Sequence, residues 1–361
     1  MTRLVISGYY GFGNAGDEAM LLSMVQSLRA IEPAIELTVL SADPAKTRAN
    51  HPVSAIGRQD LPAIGMALGR ADALISGAGS LLQDVTSRRN VYYYLGIMGL
   101  GLAMGKPLIV YANGIGPIRA AAARRLTAGV LARARLITVR DEQSLRELAA
   151  MGIRGILSAD PALALAPPGP ERGRAILRDL GVGVDGPLVL VAPRQFPGSG
   201  RAFAALAAAA DYLVRTCRAR VLFVPMQIPE DGHAAAAIRE RMREPAVELR
   251  EALPPVDLLS LTGQARVLLG VRLHALIFAS IMGVPALGIA YDPKIPGFTG
   301  SVGLPSLTPG DLRAEDVLIE VDRLLREGAA IRRELAARMQ TLREQAEASA
   351  RLTLECVGRG A

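Results

Sequence analysis

Four cationic side chains stand at or just beyond the ends of apolar runs: Arg140, Arg272, His274 and Lys294. Together they would supply a site for a small, multiply charged acid, because guanidinium groups grip carboxylate and phosphate bidentately. Histidine is scarce. Of the three present, His51 precedes Pro52 in a polar loop and His233 lies in Glu230-Asp231-Gly232-His233, so both read as ordinary surface positions. His274 instead follows an apolar strand where a helix should begin, two residues after Arg272, a placement that suits a general acid or an anion ligand better than a neutral core histidine. Lys294 follows 20 residues later in a loop stiffened by Pro293 and Pro296, and alone it would read as a solvated lysine. Arg140 ends the apolar run Leu136-Ile137-Thr138-Val139, and Asp141 or Asp160 could simply pair with it.

A glycine-rich stretch near the N-terminus, Gly8-Tyr9-Tyr10-Gly11-Phe12-Gly13-Asn14-Ala15-Gly16-Asp17-Glu18, supports two chemistries. Gly11, Gly13 and Gly16 match G-x-G-x-x-G between an apolar strand and an apolar helix, and Asp43 ends the next strand where a ribose-binding acid would sit. Against a dinucleotide stand Asp17 and Glu18, whose carboxylates fall in the first helical turn, where a pyrophosphate needs free N–H groups and the positive dipole end. In the other chemistry the glycines let backbone approach a sugar or acid, while Tyr10, Phe12, Asn14 and Asp17 offer stacking surfaces and hydrogen bonds. Any tight strand-to-helix turn also prefers glycine. Gly77 and Gly79 form a second glycine pair, with Ser80 expected as the N-cap of a following helix and backbone N–H groups left facing a ligand. The run Tyr92-Tyr93-Tyr94 reads as helix packing.

The elements that must position these residues form an α/β pattern. Apolar runs at 4–7, 37–40, 73–76, 108–111 and 136–139 alternate with helical patterns, and the alternation resumes at 188–192, 221–224, 267–271 and 286–290. Continuous apolar strands between helices indicate parallel sheets covered on both faces. The proline-rich segment 161–170 interrupts the rhythm and is the expected linker. Residues 1–165 are therefore expected as an N-terminal Rossmann-like domain, 171–312 as a second such domain, and 313–361 as a C-terminal helical extension. Ligands of open parallel sheets bind beyond the carboxyl ends of the strands. There the sequence places Gly77-Ala78-Gly79-Ser80, Asn113-Gly114-Ile115-Gly116-Pro117, Arg140-Asp141, Pro193-Arg194-Gln195-Phe196, Pro225-Met226-Gln227, Val271-Arg272-Leu273-His274 and Tyr291-Asp292-Pro293-Lys294.

Composition bounds the rest. At 361 residues the chain exceeds what one core serves well, and 50% hydrophobic with only 4% aromatic residues suits an α/β protein. Cys217 and Cys356 have no metal or disulfide spacing, so a reducing compartment is expected. No cluster of metal-ligating residues is apparent. The N-terminus lacks the shape of a signal peptide, and the uncharged run 91–104 is too short for a bilayer, which takes roughly 20 residues. A cytoplasmic protein is therefore expected, with room for peripheral contact at the inner membrane face. The net charge of +7 comes from arginines spread over several predicted helices, for which a solvated surface is the plain reading and attraction to anionic membrane or substrate the other. No basic stripe interleaved with aromatics suggests nucleic acid.

Six ordered segments across the chain resemble the polysaccharide pyruvyl transferase family, most closely its bacterial CsaB type. They are the glycine stretch 8–18, Ile75-Ser76-Gly77-Ala78-Gly79-Ser80-Leu81-Leu82-Gln83-Asp84, Asn113-Gly114-Ile115-Gly116-Pro117, Val139-Arg140-Asp141, Gly270-Val271-Arg272-Leu273-His274-Ala275 and Ile289-Ala290-Tyr291-Asp292-Pro293-Lys294. The resemblance implies a GT-B-like fold, two Rossmann-like domains facing a cleft. It also implies transfer of pyruvate from phosphoenolpyruvate onto two sugar hydroxyls as a cyclic ketal, with release of phosphate. Arg140, His274 and Lys294 would be catalytic. Tyr10, Phe12, Asn14, Asp17, Gly77, Gly79, Asn113, Arg194 and Arg272 would bind substrate. No cofactor or metal is implied beyond phosphoenolpyruvate as donor substrate. For the CsaB type the acceptor is a lipid-linked disaccharide ending in N-acetylmannosamine, a precursor of the secondary cell wall polysaccharide that anchors an S-layer. Ala78 replaces an expected glycine, and Phe196 an expected tryptophan, which loosens the acceptor side more than the donor side. Three alternatives stay open: a GT-B glycosyltransferase using a nucleotide sugar, a non-catalytic cell-wall scaffold and, last, a dinucleotide-dependent oxidoreductase.

Overall fold

The computed structural model describes residues 1–84, 88–183 and 185–358. The chain divides into two compact units, the first made of Met1–Phe12, Asp17–Leu165 and Leu342–Ala361, the second of Gly13–Gly16 and Ala166–Thr341. Residues 313–361, expected as a separate extension, are thus shared between the units. The four residues Gly13–Gly16, expected with the N-terminal domain, count with the second.

The first unit holds eight parallel strands: β1 (Arg3–Tyr10), β2 (Glu36–Ser41), β3 (Ser54–Gly57), β4 (Ala73–Ser76), β5 (Gly79–Leu82), β6 (Leu108–Ile115), β7 (Leu136–Val139) and β8 (Ile156–Leu157). Their order is β3-β2-β1-β4-β6-β7-β8, with β5 paired to the end of β6. Consecutive buried residues such as Leu4, Val5 and Ile6 show why the strands read as unbroken apolar runs: both faces of the sheet are covered. The helices are α1 (Ala15–Ile31), α2 (Pro44–Asn50), α3 (Leu61–Arg70), α4 (Arg88–Ala103), α5 (Ala121–Leu131) and α6 (Glu142–Ala149). Asp43, Asp60 and Asp141 cap α2, α3 and α6 by accepting the amides of Lys46, Ala63 and Ser144. Each such cap stabilises its helix by about 1 kcal/mol. One core joins Val5, Leu40, Leu74 and Val110 of the strands to Tyr94 and Met98 of α4.

The second unit has six parallel strands, β9 (Leu188–Ala192), β10 (Arg220–Phe223), β11 (Val247–Glu248), β12 (Val267–Gly270), β13 (Ala286–Ile289) and β14 (Ser306–Leu307), in the order β11-β10-β9-β12-β13-β14. Helices α7 (Glu171–Asp179), α8 (Gly200–Cys217), α9 (Glu230–Arg239), α10 (Pro255–Thr262), α11 (Leu273–Ile281), α12 (Lys294–Val302) and α13 (Ala314–Arg326) cover it. Alanines on the buried face of α8 bring it close to Val189, Val191 and Phe223. The last helix, α14 (Gly328–Gly358), begins in the second unit and passes at Leu342 into the first. There the Ser158 hydroxyl donates to the Gln345 carbonyl at 2.8 Å, and the Ser349 hydroxyl donates to Thr138 Oγ1 at 3.1 Å.

Candidate active site

Strand order marks a crevice in the second unit. The sheet is wound outward from the pair β9 and β12, and at such a reversal the loops after the two central strands part and leave a crevice. The residues leaving β9 are Pro193 and Arg194, and those leaving β12 are Val271 and Arg272. Arg272 is the N-terminal flanking residue of α11, so His274 falls in the first turn of that helix.

Arg272 is buried and doubly held. Its Nε donates to Asp231 Oδ2 at 2.8 Å and its Nη2 to Asp231 Oδ1 at 2.6 Å, the fork geometry that an arginine and a carboxylate make best. Asp231 also accepts the amides of Met226 and Gln227 at 3.1 and 3.0 Å, so one carboxylate fixes both the guanidinium and the turn before α9. Burial pushes the Asp231 carboxyl above its ordinary value, against the pull of Arg272.

A second arginine adds charge that this carboxylate does not neutralise. Arg194 makes no ion pair among the described residues; its guanidinium lies 5.3 Å from the centroid of the Tyr291 ring, which in turn stacks on Phe196 at 5.0 Å. Burial first, and then the charge of Arg272, lower the Arg194 guanidinium from its usual value. Asp231 and Asp292 act on Arg194 only at a distance, without an ion pair, which leaves its guanidinium fork suited to an anion. Lys294 opens α12, its amide held by Asp292 Oδ1 at 2.9 Å, and so begins a helix instead of lying in a loop.

The short segment Gly13–Gly16 is built into this site. Asn14 Nδ2 donates to Gln227 Oε1 at 3.2 Å, the Ala15 amide donates to the Met226 carbonyl at 2.8 Å, and the Gly16 amide donates to Asn14 Oδ1 at 3.0 Å. Arg272 Nη2 reaches the same Gln227 oxygen at 3.3 Å. Gly16 backs the imidazole of His274: a Cβ there would lie 2.1 Å from Nδ1, closer than any side chain tolerates. Asn14, Gln227, Asp231, Arg272 and His274 are therefore one connected arrangement.

The remaining expected residues belong to the first unit. Arg140 follows β7, two strands from the reversal at β1 and β4. It donates to Asp160 Oδ2 at 2.7 Å through Nη1 and to the Ser80 hydroxyl at 3.0 Å through Nη2. Gly114 leaves room for it, since a Cβ there would lie 3.1 Å from Arg140 Nε. Asn113 is fully buried and donates to the Gly77 carbonyl at 2.6 Å, clamping the end of β4 to β6. Gly79 and Ser80 lie in strand β5, which corrects the expected helix N-cap: Ser80 bonds Arg140 there. Tyr10 is fully buried, and the ring that stacks on Phe12, at 4.1 Å, is that of Tyr9. Asp17 stands near Gly79 and, after burial itself, raises the Tyr10 phenol.

Two readings of single residues are overturned. His51 is not a surface residue: it is 2% exposed and its Nε2 lies 2.9 Å from Glu18 Oε2. Asp43 serves as a helix cap. The other Glu18 oxygen accepts the Gly11 amide at 2.9 Å, so the acid weighed against a pyrophosphate already uses an N–H group of the glycine loop. Among the described residues no group of three or more His, Cys, Asp or Glu side chains is arranged to hold a metal ion.

Solved structures share this fold over nearly the whole chain. Anabaena Alr3699/HepE, solved with UDP-glucose, has a TM-score of 0.68 at 11% identity, covering 98% of this chain and 100% of that one. The Neisseria meningitidis UDP-GlcNAc 2-epimerase gives 0.66 at 10% identity, covering 99% and 100%. Escherichia coli ADP-heptose heptosyltransferase II gives 0.58 at 16% identity, covering 91% and 100%. At such identities the likeness shows the fold, the GT-B-like α/β class with two parallel sheets. None of the proteins of curated function matches the chain in sequence. The model of one family matches residues 14–293, a span that takes in the Asn14 segment, Arg140, the Arg272–His274 turn and Asp292, and the chain belongs to that family, the polysaccharide pyruvyl transferases.

Proposed function

We propose that the protein transfers pyruvate from phosphoenolpyruvate onto two hydroxyls of a cell-wall polysaccharide precursor sugar, forming a cyclic ketal and releasing phosphate. The observation that carries this reading is the pair Arg194 and Arg272, the second forked onto Asp231 and the first without an ion pair among the described residues, with His274 in the first turn of α11. A trianionic enol phosphate is the kind of ligand that such an arginine pair attracts.

The chemistry follows from the donor. His274 protonates the enol methylene, which becomes the methyl group and leaves a cation at the neighbouring carbon. One sugar hydroxyl adds there and loses its proton. The C–O bond to phosphate then breaks with its electron pair leaving on phosphate, the cation forms again, and the second hydroxyl closes the ring with loss of another proton. Arg272 and Arg194 offset the carboxylate and the charge gathering on the departing phosphate, with Lys294 as a further cation. Arg140, whose guanidinium is held by Asp160 and Ser80, keeps a positioning role within the first unit in this reading. The acceptor in this reading is a lipid-linked disaccharide ending in N-acetylmannosamine.

Titration calorimetry with phosphoenolpyruvate tests the proposal, with UDP-glucose and NAD as controls. Heat from phosphoenolpyruvate that Arg272→Ala abolishes is expected, while His274→Ala should keep binding and lose about a hundredfold or more in turnover. Heat from UDP-glucose alone would replace this reading with a glycosyltransferase.

A further inference from the structure

The arginines are dispersed along the chain, but the acids are not. Residues 85–140 contain nine arginines and lysines and no aspartate or glutamate, whereas the whole chain carries a surplus of only +7, so everything outside that stretch is slightly acidic. This acid-free stretch includes α4 and α5, which pack against each other. Helix α5 turns Ala123, Thr127 and Leu131 into the core and leaves Ala122, Arg125, Leu126 and Gly129 exposed on the other face, at the i, i+3, i+4, i+7 spacing of a single stripe. Arg119 before the helix and Arg133 and Arg135 after it are exposed as well. Among the described residues Arg124 pairs with Glu147 at 2.9 Å and the Arg119 amide donates to Asp84 at 2.9 Å, while the guanidiniums of Arg119, Arg125, Arg133 and Arg135 make no ion pair.

One aliphatic side chain is exposed among these arginines as well, Leu126, at 53% beside Arg125. Exposed cations with an aliphatic side chain set among them match what draws a protein surface to anionic lipid headgroups. Nucleic acid would call for rings interleaved with the cations, and on α5 the exposed apolar residue is a leucine. Among the described residues no helix is long and apolar enough to cross a membrane. We infer that the α5 face of Arg119, Arg125, Leu126, Arg133 and Arg135 docks on the surface of a bilayer containing anionic lipid. The inference stands on charge and exposure and does not depend on pyruvyl transfer.

Co-sedimentation of the full chain with phosphatidylcholine vesicles, with and without phosphatidylglycerol, tests it. Binding is expected only with phosphatidylglycerol, and is lost in about 1 M salt, where the screening length falls to about 3 Å. The triple variant Arg125→Glu, Arg133→Glu, Arg135→Glu should lose about tenfold or more in vesicle affinity. Reversing three exposed arginines of the second unit, Arg174→Glu, Arg178→Glu and Arg333→Glu, should leave vesicle binding unchanged and controls for net charge. Leu126→Gln should weaken binding by a smaller factor that salt does not alter. Equal sedimentation of the two triple variants, no sedimentation of the parent chain, or tighter binding of an RNA oligonucleotide than of vesicles at the same salt would each overturn the inference.

Discussion

Arg140 and Arg272 are the same device in two settings. Each follows a buried parallel strand, and each is paired with a buried aspartate. Around Arg140 the charges balance or tip negative, with Asp160 at 2.7 Å and Asp141 at 3.8 Å. Around Arg272 a second arginine stands near, Arg194, which makes no ion pair among the described residues and feels Asp231 and Asp292 only at a distance. The sheets account for the contrast. Arg272 and Arg194 leave the two strands that flank a reversal of strand order, whereas Arg140 leaves a strand two places from one. The arginine at the reversal is thus set up to meet an anion, and the one away from it is already satisfied by the protein.

The largest test of this contrast removes each carboxylate. Asp231→Asn leaves Arg272 buried without its ion pair beside Arg194, with only the more distant Asp292 to offset them, and should cost about 3–5 kcal/mol in chemical denaturation. Asp160→Asn leaves Arg140 with Asp141 and should cost roughly half as much; equal losses would show that Arg194 does not distinguish the two sites. Next comes space. Gly16→Ala should displace the His274 ring and Gly114→Ala the Arg140 guanidinium, each costing about 1–3 kcal/mol. Of the two, Gly16→Ala is expected to lower pyruvyl turnover at unchanged donor affinity, measurable as a fall in kcat with KM kept.

Smaller effects sharpen the comparison. Arg272→Lys and Arg140→Lys both keep a charge and lose the fork. Donor affinity should drop about tenfold or more for Arg272→Lys, and stability by about 1–3 kcal/mol for Arg140→Lys. Acid gives the finest test. A carboxyl raised in the folded state holds its proton more tightly folded than unfolded, so Asp231 favours the folded protein as pH falls through its raised value. Donor affinity should therefore change on the acid side above the ordinary aspartate value of about 3.9, without unfolding, and Asp160→Asn should leave that step in place.

The apolar strands were legible because burial on both faces writes itself as unbroken runs, and Arg272 and His274 were legible because a strand-to-helix junction is a local pattern. What was not legible depends on distant partners. Asp231 reads as one more acid in a polar stretch until Arg272, 41 residues on, is folded against it; its position at the start of a helix after Pro229 was the available hint. His51 looks solvated until Glu18 meets it across 33 residues. Tyr9 and Tyr10 cannot be told apart by alternation on a strand covered on both faces. The short strand β5 was masked by its glycine and serine, which suit a cap as well as a strand.

Neither unit is a continuous piece of chain, and this bears on biosynthesis. The second unit includes Gly13–Gly16, so an excised fragment starting at 166 would lack the backing for His274. The first unit includes residues 342–361, whose Ser349 reaches Thr138. Those residues leave the ribosome after the whole of the second unit, so the first domain to be translated is the last to be completed.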